Sequence, residues 1–132
     1  MVQGRSHGIS DIKEANFKAD NSEKADLKGT NLLEANLEGA NFEEANLEKA
    51  HLEEAKLKGA KLEGANLQGV DLKGANLKEA LNLLIDQLSK VKTLYNAKLD
   101  EKILIRLKEE FPFLFKSLEQ QFLEYQSNIL GA

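Results

Sequence analysis

The chain has 132 residues, enough for one ordinary domain or a small domain with an appendage. Its 18 Lys and Arg stand against 22 Asp and Glu, a formal net charge of −4 that leaves no basic excess for a nucleic-acid surface. Hydrophobic residues make up 42%, too many for a disordered chain, and the absence of Cys excludes disulfides, thiolate metal sites and a cysteine nucleophile. Residues 1–9 carry Arg5 but no apolar stretch, so they read as a flexible start or an expression remnant rather than a signal peptide. No apolar run approaches the roughly 20 residues that a membrane span requires. The expectation is a cytoplasmic protein that engages neither membrane nor nucleic acid.

From Ser10 to Glu79 the chain repeats every five residues without insertion, giving fourteen units. Ala35-Asn36-Leu37-Glu38-Gly39 is followed in register by Ala40-Asn41-Phe42-Glu43-Glu44 and Ala45-Asn46-Leu47-Glu48-Lys49. A period of five suits neither regular element. On a helix each unit rotates its Leu by about 140°, smearing the apolar side around the surface. On a strand an odd period sends Leu to the opposite face at every repeat. The chain must instead turn by a fixed angle once per unit. Gly at the fifth position of six units supplies the positive φ of a type II turn. Four such corners close a square coil, and stacked coils pair their backbones about 4.8 Å apart.

This pattern, Ala-(Asn/Asp)-Leu-X-X, resembles the pentapeptide-repeat family. The resemblance implies an all-β solenoid, a right-handed quadrilateral β-helix, over residues 10–79. Fourteen units make about three and a half coils, roughly 17 Å tall at strand spacing. The third-position residues then form the structural core: Leu27, Leu32, Leu37, Phe42, Leu47, Leu52, Leu57, Leu62, Leu67, Leu72 and Leu77. The unit Asp20-Asn21-Ser22-Glu23-Lys24 has polar residues at both inward positions and reads as a local irregularity or a weak first coil.

Residues 80–132 read as an α-helical C-terminal cap on the open end of the stack. Leu81, Leu84, Ile85, Leu88, Val91 and Tyr95 predict an amphipathic helix over 81–95. Asp100 is the candidate N-cap of a second helix containing Ile103, Leu104 and Leu107, which Phe111-Pro112 ends. A third helix is expected from about Pro112 to Tyr125. Phe111, Phe115 and Phe122 form the candidate association surface, because a narrow stack end has little room to cover them. Some pentapeptide-repeat proteins are similar in carrying C-terminal helices that dimerise, so the resemblance also implies a homodimer.

No residues assemble into a catalytic, cofactor-binding or metal site. Glu43-Glu44 and Glu53-Glu54 sit at outward turn positions, without the enclosed surroundings that acid–base chemistry needs. His7 and His51 have no second ligand at metal spacing, and the recurring Gly residues serve turns, not a phosphate loop. One face is acidic, with Glu34, Glu53, Glu54 and Asp71, and the next is mildly basic, with Lys18, Lys56, Lys58 and Lys78. The expectation is a non-enzymatic scaffold or protein–protein interaction module. The alternative, implied by the resemblance, is a DNA-mimicking inhibitor or protector of DNA gyrase. That alternative requires a longer and more uniformly acidic rod than these residues supply.

Overall fold

The computed structural model of the protein describes residues 14–131. The stretch 1–9 and nearly all of the unit that begins at Ser10 lie outside the described residues. From Asn16 onward the backbone forms square coils, each paired with the next through parallel bridges twenty residues apart, from Asn16↔Asn36 to Lys61↔Leu81. The pairing consists of isolated bridges because each unit offers one paired residue before it turns.

The unit Ala35–Gly39 shows how five residues satisfy five donors. Asn36 N–H donates back to Ala15 O at 2.8 Å, while Leu37 and Gly39 N–H donate forward to Lys56 O and Lys58 O at 2.8 and 2.9 Å. Ala35 N–H closes the preceding corner on Leu32 O at 3.0 Å, as Ala40 N–H closes the next on Leu37 O. The fourth-position N–H of Glu38 is left over, and Asn36 Oδ1 accepts it at 3.1 Å. Asn16, Asn21, Asn31, Asn41, Asn46, Asn66 and Asn76 accept in the same way, as do Asp26 and Asp71. The second position therefore favours Asn and Asp because a short side-chain oxygen completes the corner.

The corner does not depend on Gly. The fifth position has positive φ in Glu34, Glu44, Lys49 and Glu54, near 60°, as it does in Gly39 at 68°. A non-Gly residue in this region costs about 1–2 kcal/mol, so the stacked hydrogen bonds on both sides impose it. Inside the square, Leu27, Leu32, Leu37, Phe42, Leu47, Leu52, Leu57, Leu62, Leu67, Leu72 and Leu77 are at most 3% exposed. The first-position Ala residues from Ala35 to Ala60 fill the space between them at 0–1% exposure.

The unit from Asp20 to Lys24 is regular, which corrects the expectation of a weak coil. Ser22 N–H donates to Asn41 O, Lys24 carries the corner φ of 59°, and Ser22 itself is buried. The next coil fixes its backbone through Asn41 O and Glu43 O, and a serine is small enough to point inward.

A larger correction concerns residues 80–100. The expected helix over 81–95 is only one turn, α1, Ile85–Leu88. Leu81 and Leu84 lie exposed instead of on a helix–core seam. The square coil resumes after α1, with bridges Asp71↔Thr93 and Asn76↔Lys98. These pairs are 22 residues apart instead of 20. Lys92-Thr93-Leu94-Tyr95-Asn96 is thus a disguised unit: Leu94 points inward at 0% exposure and Asn96 supplies the corner φ of 62°. Thr93 Oγ1 accepts the Tyr95 N–H at 3.0 Å, as an Asn would. On the side that α1 occupies, Gln87 replaces the missing backbone. Its Nε2 donates to Leu62 O and Ala65 O at 2.8 and 3.0 Å, and its Oε1 accepts Leu84 N–H at 2.9 Å.

After Leu99 the chain leaves the coil into α2, Glu101–Glu110, which places Leu107 at 0% exposure in the core cluster. Asp100 precedes α2, but its carboxylate accepts the Glu79 N–H instead of capping the helix. A 3-10 turn, Pro112–Phe115, buries Leu114, whose carbonyl accepts the Leu94 N–H at 2.7 Å. The expected third helix is broken at Lys116, which is extended, and restarts as α3, Leu118–Leu130. Ser117 and Gln120 cap its start reciprocally, and this S-x-x-Q capping box sets the helix boundary.

Candidate functional site

The outward second, fourth and fifth positions stack into rows along each face of the coil, one residue per turn of the stack. Some rows alternate in sign: Lys24 lies 3.9 Å from Glu44 and Lys28 lies 3.9 Å from Glu48, each pair one coil apart. Others repeat one sign. Glu23, Glu43 and Glu63 share a row on one face, and Lys58 and Lys78 are successive in another. Lys98 belongs to the same basic face, which the disguised coil thereby extends.

The polar groups singled out from the sequence lie on this outer surface. His51 Nδ1 is 3.5 Å from Glu53 Oε2, in a row between Asn31 and Asp71. Glu53 is less wet than its position suggests: its Oε1 is buried without a hydrogen-bond partner. Glu43 is half-buried, whereas Glu44 and Glu54 are exposed. Leu33, an outward apolar residue, is half-buried. Among the described residues no three His, Asp or Glu side chains are placed to hold a metal, and no helix is long and apolar enough to cross a membrane.

At the C-terminal end the three phenylalanines of the candidate association surface separate. Phe111 and Phe115 are half-buried against the core, and Lys108 Nζ sits 5.5 Å from the centre of the Phe115 ring. Only Phe122 is widely exposed, at 58%, and it lies on a different helix from Phe115. The break at Lys116 divides them. No residue of α3 is buried, and Leu118, Tyr125 and Ile129 are as open as Phe122. Where α3 begins, it bounds a cleft of about 160 Å³ against the coil, whose walls include Asp71, Lys73, Lys92, Lys116, Leu118 and Gln121. Sequence reasoning missed this cleft because Lys92 belongs to the coil hidden by the two-residue insertion.

Comparison with known proteins agrees with the coil. The pentapeptide-repeat family profile matches residues 23–59 and 50–81, with eight copies. None of the curated proteins compared matches the chain. Among solved structures the chain is similar to a pentapeptide-repeat protein, Rfr23, from the cyanobacterium Cyanothece 51142, with 30% identity and a TM-score of 0.53 over 69% of this chain. It is also similar to HetL, a pentapeptide-repeat protein involved in heterocyst differentiation regulation in Nostoc sp. strain PCC 7120, with 31% identity and a TM-score of 0.54 over 67% of this chain. The matched parts span 57% and 38% of those two proteins, so this chain corresponds to little more than half of one and less than half of the other.

Proposed function

The chain belongs to the pentapeptide-repeat family, whose fold is the right-handed quadrilateral β-helix, and we propose that it is a non-enzymatic scaffold that binds another protein. One observation carries this reading. The coil interior is filled by its own Leu, Phe and Ala side chains, while the variable fourth and fifth positions project outward in fixed rows. Such a surface holds side chains in place before a partner arrives, which lowers the ordering cost of binding. In this reading α2 and the 3-10 turn cap the stack, seating Leu107 and Leu114 on its end and covering an edge that would otherwise pair with another chain. The gyrase-directed alternative is not favoured, since the rod is short and one of its faces is basic through Lys58, Lys78 and Lys98.

Affinity capture with the intact chain, from cells that carry it, tests the proposal against the outward variant Lys58→Glu/Lys78→Glu and against His51→Ala. A partner retained at physiological salt and lost in a well-folded outward variant is the expected result. Absence of any specific partner, or a substrate turned over by the purified chain, contradicts it.

A further inference from the structure

Helix α3 has thirteen residues and buries none of them, although Leu118, Phe122, Tyr125 and Ile129 recur at spacings of four, three and four. That spacing puts all four on one side of the helix, in a row about 16 Å long at 1.5 Å per residue. The row begins inside the cleft, because Leu118 and Gln121 are two of its walls. The opposite wall supplies Asp71, Lys73 and Lys92 from the coil. Lys116 is engaged by Glu124, but Lys73 and Lys92 make no ion pair among the described residues. A continuous apolar row therefore leads into a cleft whose coil wall sets two lysines against one carboxylate, Asp71, leaving a net positive charge on a chain whose overall charge is −4.

Resting on the scaffold reading above, we infer that this row and cleft form a docking site for an acidic amphipathic helix of a partner protein. Its apolar side would lie along Leu118, Phe122, Tyr125 and Ile129, and its carboxylates would reach Lys73 and Lys92. Length and charge both select this occupant. A row of 16 Å is longer than a small molecule spans and matches about eleven residues of helix. A second copy of the chain fits less well. Antiparallel pairing of two α3 helices sets Ile129 and Leu130 of the second copy, not a carboxylate, against the lysines. Parallel pairing brings the two lysine clefts together. Two heptads are also short for a self-sufficient helix pair. A lipid surface is disfavoured because the charged residues of α3 itself are Glu119 and Glu124, so its length carries no basic face of the kind that interfacial helices use.

The test uses the whole chain and two synthetic 14-residue peptides with the same leucine seam, one flanked by glutamate and alanine, the other by lysine and alanine. Fluorescence anisotropy should show the glutamate peptide binding and the lysine peptide binding at least about tenfold more weakly. Lys73→Glu/Lys92→Glu should weaken the glutamate peptide by about tenfold or more, and raised salt should do likewise. Phe122→Ser should also weaken it; all three side chains are exposed, so the variants keep the fold. Equal binding of the two peptides, no binding of the glutamate peptide, or indifference to the lysine reversal overturns the inference. So does a concentration-dependent dimer in sedimentation that Phe122→Ser abolishes and the lysine reversal leaves intact, which assigns the row to a second copy. Failure here with partner capture preserved removes this site and leaves the scaffold reading standing.

Discussion

Replacing Gln87 should damage the stack more than any other change of a half-exposed polar residue. Its amide joins three backbone groups: Leu62 O, Ala65 O and Leu84 N–H, at 2.8, 3.0 and 2.9 Å. Each intramolecular hydrogen bond contributes about 0.5–1.5 kcal/mol net, and an orphaned partner that water cannot reach costs about 1–3. Gln87 is only half-buried, so water can recover part of the loss. Gln87→Ala should therefore cost about 2 kcal/mol. Gln87→Glu should cost more at neutral pH, since a carboxylate presents an acceptor to two carbonyl oxygens. Urea unfolding followed by circular dichroism measures both, with Gln120→Ala, whose bonds stay within the exposed start of α3, as the comparison. Hydrogen exchange would add position, because loosening should concentrate around residues 81–91. If Gln87→Ala and Gln87→Glu unfold with the native midpoint, the side chain does not replace the missing strand, and the continuity of the coil through α1 loses its physical basis.

Three further outcomes follow from the accounting of donors and core space. His51→Asn should stabilise by about 0.5–1 kcal/mol, because His51 gives the Glu53 N–H none of the side-chain acceptance that Asn46 gives Glu48; an unchanged unfolding midpoint would refute it. Ser22→Leu should be neutral or stabilising in the same assay, since Ser22 occupies a regular inward site, and a large loss would show that the first coil cannot accept a full-sized core residue. Leu118→Ser and Ile129→Ser should each stay within about 0.5 kcal/mol of the native chain, because α3 buries nothing. A larger loss in either would place α3 in the folded core.

The coil was legible because its signal is redundant. A Leu every fifth residue admits one geometry, and the same argument points Ala inward beside it. The reason for Asn at the second position was not legible, since it depends on which N–H the stacked coils leave unpaired, and only the three-dimensional arrangement identifies the Glu38 N–H as that donor. The end of the coil was misread for a specific reason. Between Leu77 and Leu94 the insertion shifts the register by two residues and supplies Leu81, Leu84, Ile85, Leu88 and Val91 at helical spacing. Local periodicity then imitates a long helix, while backbone pairing with the coil below keeps the chain in the square path. The break before α3 was written in Ser117 and Gln120, but the aromatic run around Pro112 obscured it. The candidate site suffered most from the misplaced boundary, since Lys73 and Lys92 meet only if residue 92 sits on the coil above residue 70.

The central claim is that five-residue units close a square whose third position faces inward and whose fourth faces outward. The most direct measurement compares Leu47→Ala with Glu48→Ala, adjacent residues that are fully buried and half-exposed, respectively. Chemical denaturation should show a loss of about 2–5 kcal/mol for Leu47→Ala, where stacked coils leave the cavity little room to collapse. The loss for Glu48→Ala should stay within about 0.5 kcal/mol. Coincident unfolding curves for the two variants would contradict the assignment of inside and outside on which the fold, the scaffold surface and the docking site all depend.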